Sequence, residues 1–415
     1  MQSSISDIIE AMHPSSFPDG VNPTDSIDLT DPDDLTRLRR LADQLLDADG
    51  PEVGSDAPLD LRAAAMLARS KQIVDEIDLE AEVAVIYAMW GEQNRLRPAT
   101  ADNPTGEDSL RVKLDQLDWL FGGSGISWRL VPVDDGCPHS SATIAEQRAA
   151  DHPLGDRVEV LRLGDVLPAA DGPLARLASA DDSRKGGALI LGATHALATG
   201  ADAIVFTDAD NSVDLGQLGL LLGPWFAGVP VVLGDRKSPE SVLVKQEDRW
   251  GPGIVVLRHL QRMVGRTIFS RGISDTQAAF KLYGRDIAER ILGDAAVFDF
   301  SVDTDWILGA IDAEVDITRV PFAFIDSFAE SASITQGPMT TWESLLRGLT
   351  TAVRARSADH DADAASVIDR YADAETLDLV VANVPPALEG VDTSRLGDSA
   401  LMSASDVAAW IETLR

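Results

Sequence analysis

The sequence has little cysteine, little lysine and no long apolar run. Its 415 residues include one cysteine, Cys137, which excludes a framework of internal disulfides. No uninterrupted apolar run reaches the roughly 18 residues that a membrane-spanning helix needs. The N-terminus lacks the basic and then apolar regions of a secretory signal peptide. These absences predict a soluble, cytoplasmic protein, and its 45% hydrophobic and 25% charged residues are usual for a globular fold.

Positive charge is scarce and unevenly spread. There are 35 basic against 68 acidic residues, a net charge of −33, and the pI is about 4.3, which argues against general binding of nucleic acid or anionic membranes. Only six residues are lysine, and four of them lie between positions 185 and 281. Residues 236–285 contain ten basic and four acidic residues, a local charge of +6. Most of the acid is expected on solvated surface, whereas this positive island predicts a bound anion.

The pattern along the chain predicts three regions. Residues 1–80 contain no strand pattern: a mobile leader rich in Ser, Pro and Asp is predicted over 1–34, and helices over 33–48 and 59–77, the first capped by Asp33 or Asp34. These helices are expected to pack on the main domain or on a second subunit. Residues 336–415 form a helical or mixed extension, with a strand predicted over 378–384 and a helix over 404–414, acting as a lid, a dimer element or a helical cap.

Residues 81–335 alternate strand and helix patterns. Apolar runs between helical segments such as 107–121 and 184–200 predict an α/β fold with a mainly parallel sheet covered by helices on both faces. In such sheets ligands bind at the carboxyl ends of the strands. Strands are predicted over 83–89, 128–133, 157–163, 203–208, 229–234, 278–284 and 315–321.

Two aspartates follow the strand predicted over 203–208. Asp208 and Asp210 are at i and i+2, where two carboxylates can converge on one hard divalent cation. A cation there could hold a diphosphate and neutralise the charge that develops as it leaves. The alternative is a turn at a strand end that merely favours aspartate.

Two further segments suit parts of a nucleotide. Asp134, Asp135 and Gly136 follow a strand, and a carboxylate there could accept hydrogen bonds from a base or ribose. Lys185 and two glycines begin a predicted helix, where backbone N–H groups and a lysine suit a diphosphate. An ordinary turn and a glycine-containing helix start are the competing interpretations.

The positive island supplies candidates for a second phosphate. Arg236, Lys237, Lys245 and Arg249 lie in it, and Asp275 and Gln277 come just before the next apolar strand, where a cap or turn is the alternative.

A basic helix is also predicted within the island, over 253–272. Arg258, Arg262 and Arg266 are spaced i, i+4, i+8, along one helix face. Peripheral contact with a membrane interface is one interpretation, but an ordinary surface helix over the sheet is favoured.

Taken in order, these segments resemble family 2 glycosyltransferases of the GT-A fold, and most closely the dolichyl- or polyprenyl-phosphate glucosyl- and mannosyltransferase branch. The resemblance covers residues 83–330. The family's Asp-Asp-Gly-Ser, Gly-Lys-Gly-Gly-Ala, Asp-Ala-Asp, Gly-Ser-Arg and Asp-Thr-Gln-x-Gly-Phe-Lys motifs correspond to segments beginning at Asp134, Arg184, Asp208, Gly234 and Asp275. Its Phe-Asp-x-Glu motif is echoed by Val302-Asp303-Thr304-Asp305, and only Glu92 and Arg95-Leu96 match its opening motif well.

The resemblance implies an inverting, metal-dependent transfer of a hexose from a UDP- or GDP-sugar. It places Glu92, Asp134 and Asp135 at the nucleoside and Lys185 at the diphosphate, with Asp208 and Asp210 holding Mg²⁺ or Mn²⁺. Arg236, Lys237, Lys245 and Gln277 would meet the acceptor. A hydroxyl acceptor needs a general base, for which Asp275, Asp303 and Asp305 are the candidates, whereas an ionised phosphate acceptor needs none.

Departures from the family leave the acceptor and the activity open. Ala279 replaces a glycine, and no hydrophobic anchor is recognised, so the acceptor is either a polyprenyl phosphate, with peripheral contact at the inner face of the membrane, or a small soluble molecule. Two competing hypotheses keep the fold: a nucleotidyltransferase, and a sugar-nucleotide-binding scaffold without turnover. Homo-oligomerisation is a further expectation, and nucleic acid is not expected as a partner.

Overall fold

A seven-stranded sheet forms the centre of the computed structural model, which describes residues 26–48, 53–244, 251–326 and 338–415. The strand order is β3-β2-β1-β4-β7-β5-β8; β7 runs antiparallel to its neighbours and the other pairs are parallel. Two short strands, β6 and β9, pair in parallel beside it. The strands are Ala81–Met89 (β1), Ile126–Asp134 (β2), Leu161–Arg162 (β3), Ala203–Phe206 (β4), Val231–Gly234 (β5), Val242–Val244 (β6), Lys281–Gly284 (β7), Ile317–Val320 (β8) and Ala323–Ile325 (β9).

Helices cover both faces of this sheet, as expected for strands that are apolar throughout. Successive residues of β1 point to opposite faces: Val85 packs in one apolar core and Ile86 in the other. The predicted mainly parallel α/β architecture is therefore confirmed. The helices are Pro32–Asp47 (α1), Leu59–Glu76 (α2), Ser109–Phe121 (α3), Ser141–Ala150 (α4), Leu163–Val166 (α5), Gly186–Ala198 (α6), Gly219–Phe226 (α7), Ile254–Val264 (α8), Arg266–Phe269 (α9), Arg285–Gly293 (α10), Val302–Asp312 (α11), Pro338–Ala355 (α12), Ala362–Tyr371 (α13), Ala374–Val381 (α14) and Ala404–Leu414 (α15).

The two N-terminal helices pack on the main domain. Helices α1 and α2 share an apolar cluster with Val242 and Ala323 of the small sheet, and Ser70 Oγ of α2 accepts a hydrogen bond from Gly219 N of α7 at 2.8 Å.

The start of α1 differs from its prediction. The N-cap is Asp31, whose side chain accepts from Asp33 N, and proline occupies the first helical position. Asp33 and Asp34 lie in the first turn and are not caps. The predicted mobile leader over 1–34 also extends too far, because Ile27 and Leu29 are already buried.

The C-terminal helices share an apolar core with one face of the sheet. The strand predicted over 378–384 is wrong, because α14 occupies most of that segment. Asp373 caps this helix by accepting from Thr376 N, and Leu377, Val380 and Val381 are buried at helical spacing. The helix predicted over 404–414 is α15.

The basic helix is not the ordinary surface helix that the sequence favoured, because seven residues of Ile254–Val264 are buried and none is exposed. It divides at Gly265 into α8 and α9, and Leu257, Leu260 and Val264 are buried in the core that also contains the C-terminal helices. Its apolar side is therefore covered by protein and does not face outward. Within the described ranges, no helix is long and apolar enough to cross a membrane.

Candidate active site

A cavity of about 330 Å³ lies at the carboxyl edge of the sheet. The ends of β1, β2 and β4 meet there because neighbouring parallel strands end at the same edge. Six of the predicted site residues line it: Glu92, Asp135, Lys185, Asp208, Asp210 and Gln277. Lys245 lies outside the described residues, as does Arg249.

The two aspartates after β4 face this cavity. Asp208 Oδ1 accepts from Lys185 Nζ at 2.8 Å, and its side chain keeps 43% of its surface exposed. Asp210 Oδ1 accepts from Ser212 N at 3.0 Å, which fixes the turn. Burial opposes ionisation of Asp208, but the neighbouring Lys185 ammonium holds its pKa below the ordinary value. Both carboxylates therefore offer oxygen ligands to the cavity.

The donor set fits a divalent cation that is completed by a ligand. No cluster of three or more His, Cys, Asp or Glu side chains suited to a metal occurs in the described part of the chain. Asp208 and Asp210 alone leave most of the six or so positions of Mg²⁺ or Mn²⁺ open. Phosphate oxygens and water would fill the rest.

Lys185 lies in a strained turn at the start of α6. Its φ is +72°, which is uncommon for a residue with a side chain, and its backbone N donates to Asp135 Oδ2 at 2.7 Å. Burial opposes its protonation, yet Asp208 and Asp303 together raise the pKa of Lys185 above the ordinary value. The lysine is thus held as a cation between the two aspartates.

Three backbone N–H groups at this helix start have partners within the protein. Arg184 N and Gly187 N both donate to Phe298 O, at 2.9 and 3.2 Å, and Lys185 N donates to Asp135. The close packing requires a glycine at position 186, where a Cβ would lie 2.4 Å from Phe298 C. The side chains of Arg184 and Lys185 line the cavity here and suit an anion.

The two acids after β2 have different surroundings. Asp135 lines the cavity, and its Oδ1 is buried without a hydrogen-bond partner among the residues that the structure describes. Asp134 instead accepts from Cys137 N at 2.9 Å and from Ala142 N at 3.3 Å, so it braces the turn and the start of α4. Asp135 therefore lines the cavity, whereas Asp134, contrary to the prediction, does not.

Glu92 lines the cavity and lies in a buried cluster of charged side chains. Its Oε2 is 3.1 Å from Arg95 Nη1, and Arg95 Nε is 3.0 Å from Glu107 Oε1. Burial raises the pKa of Glu92 to about 7, with Arg95 acting in the opposite direction. Arg95 and Glu107 are not among the predicted site residues, although the i, i+3 spacing of Glu92 and Arg95 was a signal that could have found the arginine.

The predicted acceptor residues are only partly brought to the cavity. Arg236 binds Asp275 through both side-chain and backbone donors, at 2.7 to 2.9 Å, and does not itself line the cavity. Burial opposes ionisation of Asp275, but the arginine lowers its pKa to about 2. Lys237 is exposed, and its Nζ donates to Ser274 O at 2.5 Å. Only Gln277 of this group reaches the cavity wall.

The remaining two candidate bases are buried in ion pairs. Asp303 Oδ1 is 2.6 Å from Lys281 Nζ, and its Oδ2 is 3.7 Å from Lys185 Nζ. Asp305 Oδ1 accepts from Arg356 Nε at 2.8 Å, and its Oδ2 accepts from Ala296 N at 3.1 Å. Asp305 therefore joins α11 to the C-terminal helices and does not reach the cavity.

The C-terminal extension contributes directly to the site. Thr341 and Leu345 of α12 line the cavity, as do Phe300, Phe324 and Asp326. Ser301 Oγ donates to Leu345 O at 2.7 Å, which ties the helix to the loop before α11. These residues have no motif, and α12 lies beyond the segment that resembles the family, so the sequence contained no signal for them.

Fold and site together define a class of α/β protein with paired aspartates and a lysine at the carboxyl edge of a parallel sheet, suited to a phosphorylated ligand. Sequence comparison agrees with the motifs: the chain is 26% identical over 200 residues to the polyprenol monophosphomannose synthase of Mycolicibacterium smegmatis. The match covers 48% of this chain and 66% of that protein, slightly less than two thirds of its length. The similarity to polyprenyl-phosphate sugar transferases is thereby confirmed. No family model matches the chain.

Two groups of solved structures are similar to part of the chain. The glucosyl-3-phosphoglycerate synthase of Mycobacterium tuberculosis, solved with Mn²⁺, UDP and glucosyl-3-phosphoglycerate, has a TM-score of 0.44 at 13% identity and covers 71% of this chain and 85% of that one. The mannosyl-3-phosphoglycerate synthase of Rubrobacter xylanophilus has a TM-score of 0.44 at 16% identity, over 70% of this chain and 78% of that one. The sequence relative and both groups of structures are glycosyltransferases.

Proposed function

We propose that this chain is a metal-dependent glycosyltransferase that moves a hexose from a nucleotide-diphosphate sugar to an acceptor. The observation that carries the proposal is the convergence of Asp208, Asp210 and Lys185 on one cavity that also contains Glu92 and Asp135. Two carboxylates and a lysine suit the diphosphate, and the other two acids suit the donor groups of a base or ribose. The similarity to a polyprenol monophosphomannose synthase supports the same class of reaction.

Asp208 and Asp210 would hold Mg²⁺ or Mn²⁺ in this proposal. A divalent cation there would neutralise charge on the departing diphosphate. Lys185, which is 2.8 Å from Asp208 in the structure, is close enough to share the same phosphate oxygens. Asp135 fixes the backbone of that lysine, so the diphosphate groups and the nucleoside groups are positioned by one turn.

The surroundings of the three predicted bases favour an acceptor that is already ionised. Asp275 is bound by Arg236 and has a pKa of about 2, far below the value that suits a general base near neutral pH. Asp303 is paired with lysine, and Asp305 does not reach the cavity. A phosphate oxygen needs no proton removed: it would bond to the anomeric carbon as the bond to the diphosphate breaks, which inverts that centre.

A polyprenyl phosphate is the acceptor that matches both the need for an ionised oxygen and the apolar wall of the cavity. Phe300, Phe324 and Leu345 supply apolar surface to the cavity wall, along which a hydrocarbon chain could follow its phosphate. The name of the sequence relative points the same way. A small phosphorylated metabolite is the alternative acceptor, and it would use the same phosphate chemistry without the apolar wall.

A screen of donors and acceptors tests the proposal. The protein is incubated with UDP- and GDP-hexoses and Mn²⁺, with either polyprenyl phosphate or small phosphorylated acceptors, and products are identified by mass spectrometry. We expect a glycosylated phosphate that disappears in excess EDTA. Tight nucleotide binding without product from any acceptor would indicate a binding scaffold, and release of pyrophosphate from a nucleoside triphosphate would indicate a nucleotidyltransferase.

Asp326 provides a separate test of the ionised acceptor. It is an acidic residue that lines the cavity and is therefore an alternative candidate for the base. If the acceptor is ionised, Asp326→Asn keeps kcat within about tenfold of wild type. A loss of roughly 10² to 10⁴, the usual contribution of a general base, would show that the acceptor is a hydroxyl and that Asp326 removes its proton.

A further inference from the structure

Two charged residues lie behind the cavity without lining it. Lys113 of α3 is fully buried, and its ammonium donates to the backbone O of Asp210 above the ring of Tyr87. Glu107, 3% exposed, accepts from Asn211 N at 2.9 Å, and its own backbone O accepts from Asn211 Nδ2 at 3.1 Å. Lys113 and Glu107 thus hold the turn that follows Asp208 from the interior of the protein.

The same anion connects this turn to Glu92 in the cavity wall. Glu107 Oε1 accepts from Arg95 Nε at 3.0 Å, and Arg95 in turn is 3.1 Å from Glu92. The chain of contacts from Asn211 through Glu107 and Arg95 to Glu92 has no gap wider than a hydrogen bond. The groups suited to the metal and those suited to the nucleoside therefore share one buried framework.

Neither charge is explained by the stability of the core. Burial lowers the pKa of Lys113 and raises the pKa of Glu107, so the interior disfavours both charged forms. Replacing all members of a buried ionic group by apolar residues of similar volume is often neutral for stability, whereas removing one member alone is costly. Lys113 lies on α3 among the buried residues Leu110, Leu114 and Leu117, yet the charges that act on its ammonium are those of Asp210, Glu107, Asp208 and Glu92. Its charge therefore serves the groups of the candidate site.

We infer that Lys113 and Glu107 are positioning residues, which fix the turn at Asp210 and Asn211 so that the two aspartates face the cavity in register with Glu92. The inference rests on the proposed function only for the identity of the ligand that the turn binds. Neither residue touches the cavity, and each acts through the backbone that it holds.

The test compares Lys113→Met with a matched lysine variant. Lys71 of α2 donates to Leu120 O and Gly122 O and pairs with Asp75, away from the cavity, so Lys71→Met removes a lysine with similar contacts elsewhere. Three measurements are made on each protein: binding of UDP with Mn²⁺, hydrogen exchange of the segment 207–212, and the midpoint of thermal unfolding.

We expect Lys113→Met to bind UDP with Mn²⁺ at least about tenfold more weakly and to exchange the amides of 207–212 faster, while exchange elsewhere in the protein stays at the wild-type rate. Lys71→Met should change neither binding nor exchange in that segment. Glu107→Gln, which keeps an acceptor for Asn211 N but removes the charge beside Arg95, should weaken binding by a smaller factor.

Unchanged binding and exchange in Lys113→Met would overturn the inference. So would a lower unfolding midpoint accompanied by a general rise in exchange, because that result describes a structural residue. If wild-type protein binds no UDP or GDP with Mn²⁺, the proposed function fails, while the exchange of 207–212 still decides whether Lys113 holds the turn.

Discussion

Asp305 is buried in an ion pair with Arg356. Substitutions in this pair test whether Asp305 is a structural residue or a catalytic one. Asp305 is fully buried and Arg356 is 6% exposed on its side chain, with Nε 2.8 Å from Oδ1. In Arg356→Met the carboxylate stays in the interior and keeps the hydrogen bond from Ala296 N, at 3.1 Å. Removing one partner of a buried pair typically costs about 3 to 5 kcal/mol, and we expect a loss of that order in Arg356→Met.

The double variant Asp305→Asn/Arg356→Met removes both charges and should recover most of that loss. Urea unfolding, followed by fluorescence at the same protein concentration, measures the stabilities. Sugar transfer per folded molecule should stay within a few-fold of wild type in both variants, because Asp305 does not reach the cavity. A loss of less than about 1 kcal/mol in Arg356→Met would refute the reasoning about the pair. Abolished transfer by a stably folded double variant would restore Asp305 as a catalytic candidate.

Three further outcomes follow from the site. In the proposed function, ionised Glu92 accepts N–H groups of a base, and its pKa is about 7. Affinity for a nucleotide sugar should therefore rise as the pH rises through about 7. Glu92→Gln should flatten that dependence in calorimetric titrations. Asp275 has a pKa lowered to about 2, so its contribution, roughly 2 to 3 kcal/mol from the shift, is complete above about pH 4 and is lost as the pH falls toward 2. The stability gap between wild type and Asp275→Asn should therefore narrow between pH 4 and pH 2 in acid unfolding, and a constant gap would contradict the assignment. Gly186→Ala places a Cβ 2.4 Å from Phe298 C and should cost about 1 to 3 kcal/mol and weaken UDP binding, whereas Gly164→Ala, which meets nothing within 4 Å, should do neither.

The parts of the fold that could be predicted are those that local pattern determines. The strand ending at Phe206 is a continuous apolar run followed by polar residues, and it forms the buried centre of the sheet as expected. The apolar run at 378–384 is too short for periodicity to distinguish strand from helix. In this segment the cap at Asp373 and the packing of Val380 in the C-terminal core stabilise a helix.

The roles of neighbouring acids could not be predicted in the same way. Asp303 and Asp305 are two positions apart in one helix, so their side chains point about 200° apart, and only contacts distant in sequence distinguish them. Lys281 pairs with the first, and Arg356, 51 residues further on, pairs with the second. Asp134 and Asp135 also have different partners. Asp134 accepts from Cys137 N in the turn that follows β2, whereas Asp135 accepts from Lys185 N, 50 residues further on.

The measurement that tests the central claim most directly is nucleoside diphosphate release from a nucleotide sugar by wild type and by Asp208→Ala/Asp210→Ala at equal Mn²⁺. Both carboxylates line the cavity, and they are the two that the proposed function assigns to the metal. The proposed function predicts release that depends on acceptor and on Mn²⁺ in wild type, and a fall of at least about 10³ in a double variant that remains folded. Release that is unchanged in the double variant, or that persists in excess EDTA, would contradict it.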